Sequence, residues 1–224
     1  MPLPRKVRAV VFDMDGLLFD TETLYRDATI AAALEAGHDM PLELYLSTIG
    51  TPLQGTREIF EAHYGAGFGF DDFWAKAKQR FAMAVETELR LKAGVVELLA
   101  LLDELALPRA LATSSHHEHA RHHLTAFGLT DRFHAVIAHG DYARGKPHPD
   151  PFLKAAERLG VEPAHCLALE DSYHGVRAAS SAGMMTIMVP DLMMPTPEME
   201  KLCVHIAADL HEVCGLMQPS GTPA

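Results

Sequence analysis

FDMDGLLFDTE, residues 12–22, follows an apolar run (Val7, Ala9, Val10, Val11 and Phe12) of the length of one short buried strand. Asp13 therefore falls where the strand ends, the place at which open α/β sheets keep their chemistry. Asp15 comes two residues later, and Gly16 lets the chain turn away with no Cβ in its path. Two carboxylates this close repel one another, so one must be protonated or a cation must stand between them. The plainer alternative is an acidic turn capping a helix that starts at Thr21.

Working outward, the pattern turns helical at Thr21, with Leu24, Ala28, Ala31 and Ala32 on one face and Gly37 as a stop. Ile59 and Phe60 mark another helix, and Trp74, Ala77, Phe81, Ala84 and Val85 a further one. No strand pattern interrupts these helices before about Arg90, so residues 21–91 are expected to form an all-helical cap domain. Its two crossings, residues 17–20 and 91–94, make a hinge. YGAGFGF, residues 64–70, looks like a nucleotide loop but follows a helix and opens no βαβ unit, so it reads as a connector within the cap.

From Ala93 onward, helices alternate with strands at residues 109–112, 133–138, 166–169 and 185–189, and a last amphipathic piece centres on Leu210 to Leu216. Asp150 is placed to cap a helix that begins with Pro151. Such alternation predicts an α/β fold, a doubly wound parallel sheet covered on both faces, with a Rossmann-like core from residues 1–20 and 92–224. The tail from Gln218, QPSGTPA, is expected to fray.

With 48% hydrophobic and 22% charged residues, the 224-residue chain can bury a core for one domain with an insertion or for two modest domains. A net charge of -11 argues against a general nucleic-acid binder, which needs clustered Lys and Arg. No stretch reaches the roughly 20 apolar residues that span a bilayer. A cytoplasmic protein, monomeric or weakly dimeric, is the expectation. Cys166, Cys203 and Cys214 lack ligand spacing and read as buried thiols.

Three later stretches each end or follow an expected strand and offer what a phosphate needs: LATSS (111–115), GKPHPD (145–150) and ALEDS (168–172). With FDMDG, in this order and spacing, they resemble the four motifs of the haloacid dehalogenase-like hydrolase superfamily, in its group of Mg²⁺-dependent phosphatases and phosphomutases. The resemblance implies that Asp13 is a nucleophile forming an aspartyl-phosphate and that Asp15 is the acid and base. It implies further that Thr113 hydrogen-bonds the phosphoryl group, with the backbone N–H of Ser114 adding to the anion site, and that Lys146 steadies Asp13 and the phosphoryl group as a point charge. Mg²⁺ would be held by the Asp13 carboxylate, the Asp15 backbone carbonyl and Asp171, with Glu170 a ligand or a partner behind the ligands. Ser115 with Glu118 reads as a capping box, which leaves Thr113 for other work.

HHEHARHH, residues 116–123, places His116, His119 and His123 on one helix face, a spacing that can bind a transition metal. The family pattern does not ask for this, and most of these histidines are expected to flank the Ala120, Leu124 and Phe127 stripe or to face solvent. His116 and His117 are kept as substrate contacts.

The expected function is hydrolysis of a small phosphorylated metabolite, a sugar phosphate-like monoester, with Glu22, Tyr25, Thr51, Gln54 and Arg57 choosing the substrate. A dehalogenase is disfavoured, because those relatives lack the second Asp and need no metal. The alternative is a mutase resembling β-phosphoglucomutase. That relative carries a His four residues after the motif I Thr, where Tyr25 stands here, and a cap Arg that corresponds to Leu53. A non-catalytic binding module has no reason to keep Asp13, Asp15, Lys146 and Asp171 together.

Overall fold

The computed structural model describes residues 3–218, so the expected fraying at 219–224 lies outside the described residues. Contacts between Cα atoms divide the chain into two units, one of the segments up to Phe19 and from Leu91, the other Asp20–Arg90. Each boundary falls one residue earlier than the division read from the sequence. The Asp20 N–H bonds the Arg90 carbonyl at 2.9 Å within the helical unit, whereas Phe19 bridges Leu91 within the core.

In the core unit, β1 (Ala9–Phe12) is wholly buried, as its apolar run requires. The helical unit follows with α1 (Thr21–Glu35), α2 (Leu42–Leu46), α3 (Leu53–Tyr64) and α4 (Phe70–Glu88). The glycine-bearing stretch after Tyr64 joins α3 to α4, as a connector should. Phe60, Phe68, Phe70 and Phe73 form the aromatic centre of this unit; the Phe60 and Phe68 rings stack 5.6 Å apart.

The core resumes with α5 (Val95–Glu104), β2 (Arg109–His116), α6 (His117–Ala126), β3 (Ala135–His139), α7 (Asp150–Leu159), β4 (Cys166–Glu170) and α8 (Tyr173–Ser181). β5 (Met185–Met188), α9 (Pro197–Leu202), β6 (His205–Ile206) and α10 (Leu210–Met217) complete it. Among the described residues the strands form one parallel sheet in the order β3-β2-β1-β4-β5-β6. This is the doubly wound order, with β1 at the switch point. β6, of two residues, is too short to show alternation, and the start signal of α9, Thr196 as cap with Pro197 at the first helical position, is hidden in a Met- and Pro-rich loop and opens a helix of only six residues.

Alternation along β1 sends Ala9 and Val11 into a cluster with Phe152, Ala155 and Ala156 of α7 and Ala178 and Ala179 of α8. Alanines on these helices let them lie close to the sheet. On β1, Phe12 meets Phe133 edge-on at 5.7 Å. Gly94 (φ 86) starts α5, and an added Cβ there would lie 2.4 Å from the backbone N of His211, so only glycine permits the α5 and α10 starts to meet.

Two expected caps are absent. α7 begins at Asp150 itself, and its carboxylate is drawn to the Arg144 backbone N–H and guanidinium rather than to the helix. α6 begins at His117 with no side-chain cap, because the Ser115 hydroxyl turns elsewhere and β2 runs on to His116. Of the cysteines only Cys166 is buried; Cys203 and Cys214, near the exposed sheet edge and on the last helix, are partly exposed. No described helix is long and apolar enough to cross a membrane.

Candidate active site

Parallel pairing brings three strand ends to one edge. Phe12 is in register with Leu111 of β2 and Leu169 of β4, so Asp13 and Glu170 lie level at the ends of β1 and β4, and Thr113 stands one residue further along β2, which runs on to His116. The Asp13 N–H still bonds the Leu169 carbonyl at 3.0 Å, which holds the residue against β4 while its side chain leaves the sheet. Beyond it Gly16 adopts φ 79 and bonds the Phe19 carbonyl, closing the turn after Asp15.

Lys146 reaches this point from the loop before α7, where the Lys146-Pro147 bond is cis. Its ammonium donates to Asp13 Oδ1 and, at 2.6 Å, to Glu170 Oε1, and lies 5.2 Å from the centre of the Phe152 ring. Both ion-pair partners are nearly or wholly excluded from water, Glu170 at 0% exposure and Asp13 at 6%. Burial works to lower the Lys146 ammonium, but the Asp13 and Glu170 carboxylates outweigh it and hold the pKa above its ordinary value. Asp13 is pushed up to about 8, chiefly by burial, with Lys146 opposing and Glu170 and Asp15 adding to the rise.

Glu170 is fully engaged. Its Oε2 accepts the N–H of Asp171 at 3.1 Å, the N–H of Ser172 at 3.2 Å and the Ser172 hydroxyl at 3.0 Å. Ser172 also caps α8, accepting the Gly175 N–H. The helix start thus neutralises one oxygen of Glu170 and Lys146 the other. Asp13, Glu170 and Asp171 bring carboxylate oxygens within 4.8 Å of one another. These are oxygen donors only, the set for a hard divalent cation. One ammonium stands among the carboxylates of Asp13, Asp15, Glu170 and Asp171, and the Glu170 and Asp15 charges add to the rise that burial gives Asp13.

Asp15 accepts a hydrogen bond from the Ser115 hydroxyl at 2.7 Å. Thr113 is buried, and its Oγ1 accepts the Ser115 N–H at 3.0 Å, leaving its O–H to donate. The Tyr142 hydroxyl donates to the Thr113 carbonyl at 3.1 Å. Ser115 and Tyr142 were not in the sequence-based set. A row of three hydroxyls gives no sign of which will face Asp15, and Tyr142 is joined to Thr113 only through the fold. Ser114 lies exposed between its two engaged neighbours.

The histidines separate. His123 is buried with its ring edge-on to Phe19 at 5.4 Å, and it does not gather with His116 and His119 into one group of ligand atoms. Among the described residues only the Asp13, Glu170 and Asp171 group gathers its ligand atoms. His116 lies exposed with its ring 4.5 Å from that of His139, and His117 Nε2 is 2.8 Å from Asp141 Oδ2.

Within the helical unit the five selected residues differ. Tyr25 packs its ring against Phe81 at 5.1 Å and Trp74 at 6.1 Å; burial and then Glu22 push its phenol up to about 12. Arg57 pairs with Asp71 and lies 4.5 Å from the Phe70 ring centre. Gln54 donates to Glu58 at 3.0 Å, and the Thr51 hydroxyl is 3.5 Å from the Ser47 carbonyl.

The sequence profile of a hydrolase family, haloacid dehalogenase-like hydrolase, matches residues 7–183. The chain belongs to the haloacid dehalogenase-like hydrolases. Hexitol phosphatase B of Escherichia coli K12 is 34% identical over 192 residues, spanning 85% of this chain and 86% of its own. The phosphorylated carbohydrates phosphatase of Thermotoga maritima is 31% identical over 181 residues, 81% and 84% of the two chains. A solved haloacid dehalogenase family hydrolase of Deinococcus radiodurans, with bound phosphate and sodium, superposes with a TM-score of 0.80 at 25% identity, covering 96% and 99%. As a haloacid dehalogenase-like hydrolase with such relatives, the protein is an enzyme of the phosphatase type.

Proposed function

We propose that the protein is a Mg²⁺-dependent phosphatase that hydrolyses a small sugar phosphate-like monoester through an aspartyl-phosphate on Asp13. The observation that carries this reading is the buried Lys146 ammonium bonded to both Asp13 and Glu170, beside Asp15, at the switch point of the sheet. Asp13 attacks phosphorus as the bond to the alcohol oxygen breaks, and Asp15 gives that oxygen its proton. Water then attacks the aspartyl-phosphate, Asp15 takes the water's proton, and the Asp13 carboxylate is released. Asp15 must enter the first step protonated, and the Ser115 hydroxyl holds its carboxyl in place. Thr113 O–H and the Ser114 N–H serve the phosphoryl oxygens, and Lys146 offsets their charge. Asp13, Asp171 and the Asp15 backbone carbonyl would hold Mg²⁺, which when bound would supply Lewis-acid positive charge beside the Asp13 carboxylate and the phosphoryl oxygens.

Phosphate release from an aryl phosphate with Mg²⁺, abolished by chelation and restored by the metal, is the expected result. No release from any phosphate monoester, with or without Mg²⁺, would favour a binding module. Phosphorus NMR separates hydrolysis from the mutase alternative. A 1-phosphate turned into a 6-phosphate without inorganic phosphate would replace the present reading.

Selection among alcohols we assign to Glu22, Tyr25, Thr51, Gln54 and Arg57 of the helical unit, and His116 and His117 are the rival assignment. The named motif residues of the core meet only the phosphoryl group and the ester oxygen, which every monoester shares, so they cannot tell one alcohol from another. Alanine at each of the five is expected to reorder a panel of phosphorylated metabolites while aryl phosphate turnover changes less than about threefold. Tyr25→Ala and Arg57→Ala also remove packing and an ion pair inside the unit, so their melting temperatures must be read beside the ranking. An unchanged ranking at all five, with a changed one for His116→Ala or His117→Ala, moves selection to the core.

A further inference from the structure

Gly175 lies in the first turn of α8 with no positive φ, so its backbone does not require glycine. Alanine is favoured over glycine inside a helix, which makes the missing side chain a cost without a local reason. The reason is Glu170. A Cβ built on Gly175 would lie 1.7 Å from Glu170 Oε1, 1.8 Å from its Cδ and 2.1 Å from Oε2. Overlaps of that size are with the carboxylate itself, and Glu170 is wholly buried, so it cannot give way by swinging into water.

We propose that Gly175 is a positioning residue, whose bare Cα leaves the slot in which Glu170 holds Lys146 against Asp13. The chain of contacts is direct. Gly175 makes room for Glu170, Glu170 Oε1 takes the Lys146 ammonium at 2.6 Å, and the same ammonium bonds Asp13. Oε2 is already committed to the helix start through Asp171 and Ser172, so a displaced carboxylate loses both anchorages together. The role assigned to Gly175 in catalysis rests on the phosphatase reading given above; its control of the Lys146 position does not.

The test is a double-mutant cycle of Gly175→Ala and Glu170→Asp, in the full chain, with two readouts. Aspartate withdraws the carboxylate by one methylene from the place the new Cβ would take. The first readout is kcat/KM on an aryl phosphate with Mg²⁺. The second is the rate at which an amine-acetylating reagent modifies Lys146, followed by peptide mass; that side chain is 7% exposed in the native protein.

Gly175→Ala is expected to lower kcat/KM by about 100-fold or more, the scale of a misplaced reacting group, and to raise Lys146 acetylation by about tenfold. The double variant is expected to lie nearer to Glu170→Asp alone than the product of the two single effects in both readouts, because the shorter side chain withdraws both Oε positions from the new Cβ. Gly175→Ala within about threefold of wild type in both readouts, or a double variant showing the product of the two single effects, overturns the proposal. If Gly175→Ala does not fold, the double variant must recover a folded protein, and its failure to do so overturns the proposal equally. Should the native protein release no phosphate while Lys146 acetylation follows the predicted cycle, the phosphatase reading falls and the positioning of Lys146 by Gly175 stands.

Discussion

Asp13→Asn is expected to leave a folded protein whose phosphate release has dropped by roughly 10⁴ to 10⁶, the scale on which covalent nucleophiles matter. The amide has the carboxylate's shape, so the contacts of Asp13 with β4 survive; its backbone N–H still bonds Leu169. What goes is the attacking oxygen and one of the three carboxylates gathered within 4.8 Å. Burial already pushes Asp13 toward its neutral form, so an uncharged residue fits this site well when no divalent cation is present. The variant should therefore melt no lower than the wild type in chelator, and should gain less from added Mg²⁺. Phosphate release at the wild-type rate from a folded Asn variant would take the nucleophile's role from Asp13.

Asp15→Asn is expected to cost about 10² to 10⁴ in kcat, the worth of a positioned acid and base. Asparagine keeps an oxygen to accept the Ser115 hydroxyl, so the side chain stays in place while both proton transfers fail. Its backbone carbonyl is unchanged, and the rise in melting temperature on adding Mg²⁺ should match that of the wild type. Together the two variants separate the functions of neighbouring acids. Full activity in Asp15→Asn would send the acid and base role to another group, and a lost Mg²⁺ response would mean that its carboxylate, not its carbonyl, meets the metal.

The architecture was largely legible because burial writes itself into local patterns. Val10, Val11 and Phe12 make an apolar run that only a covered strand explains, and the successive helical stretches between Thr21 and Arg90, with no strand pattern among them, cannot belong to the sheet. Where the pattern was too short the reading failed, at the two-residue β6 and at α9. Capping was misread for a different reason. Ser115 and Asp150 have the right chemistry for a helix start, but Asp15 and Arg144 compete for them, and neither partner lies within the window that a local rule inspects.

The sequence by itself determined the acidic turn after β1, the alternation that makes a doubly wound sheet, and the residue types of the site, since each depends on neighbours a few positions away. Tertiary structure alone decided the strand order that puts β2, β1 and β4 side by side, and with it the meeting of Lys146 with Asp13, 133 positions away, and of Ser115 with Asp15, 100 positions away. It also decided that His123 is buried on Phe19 and that Gly175 must stay bare for Glu170. Such pairings are set by sheet register and helix packing, which bring together side chains whose own segments would fold alike with or without the partner.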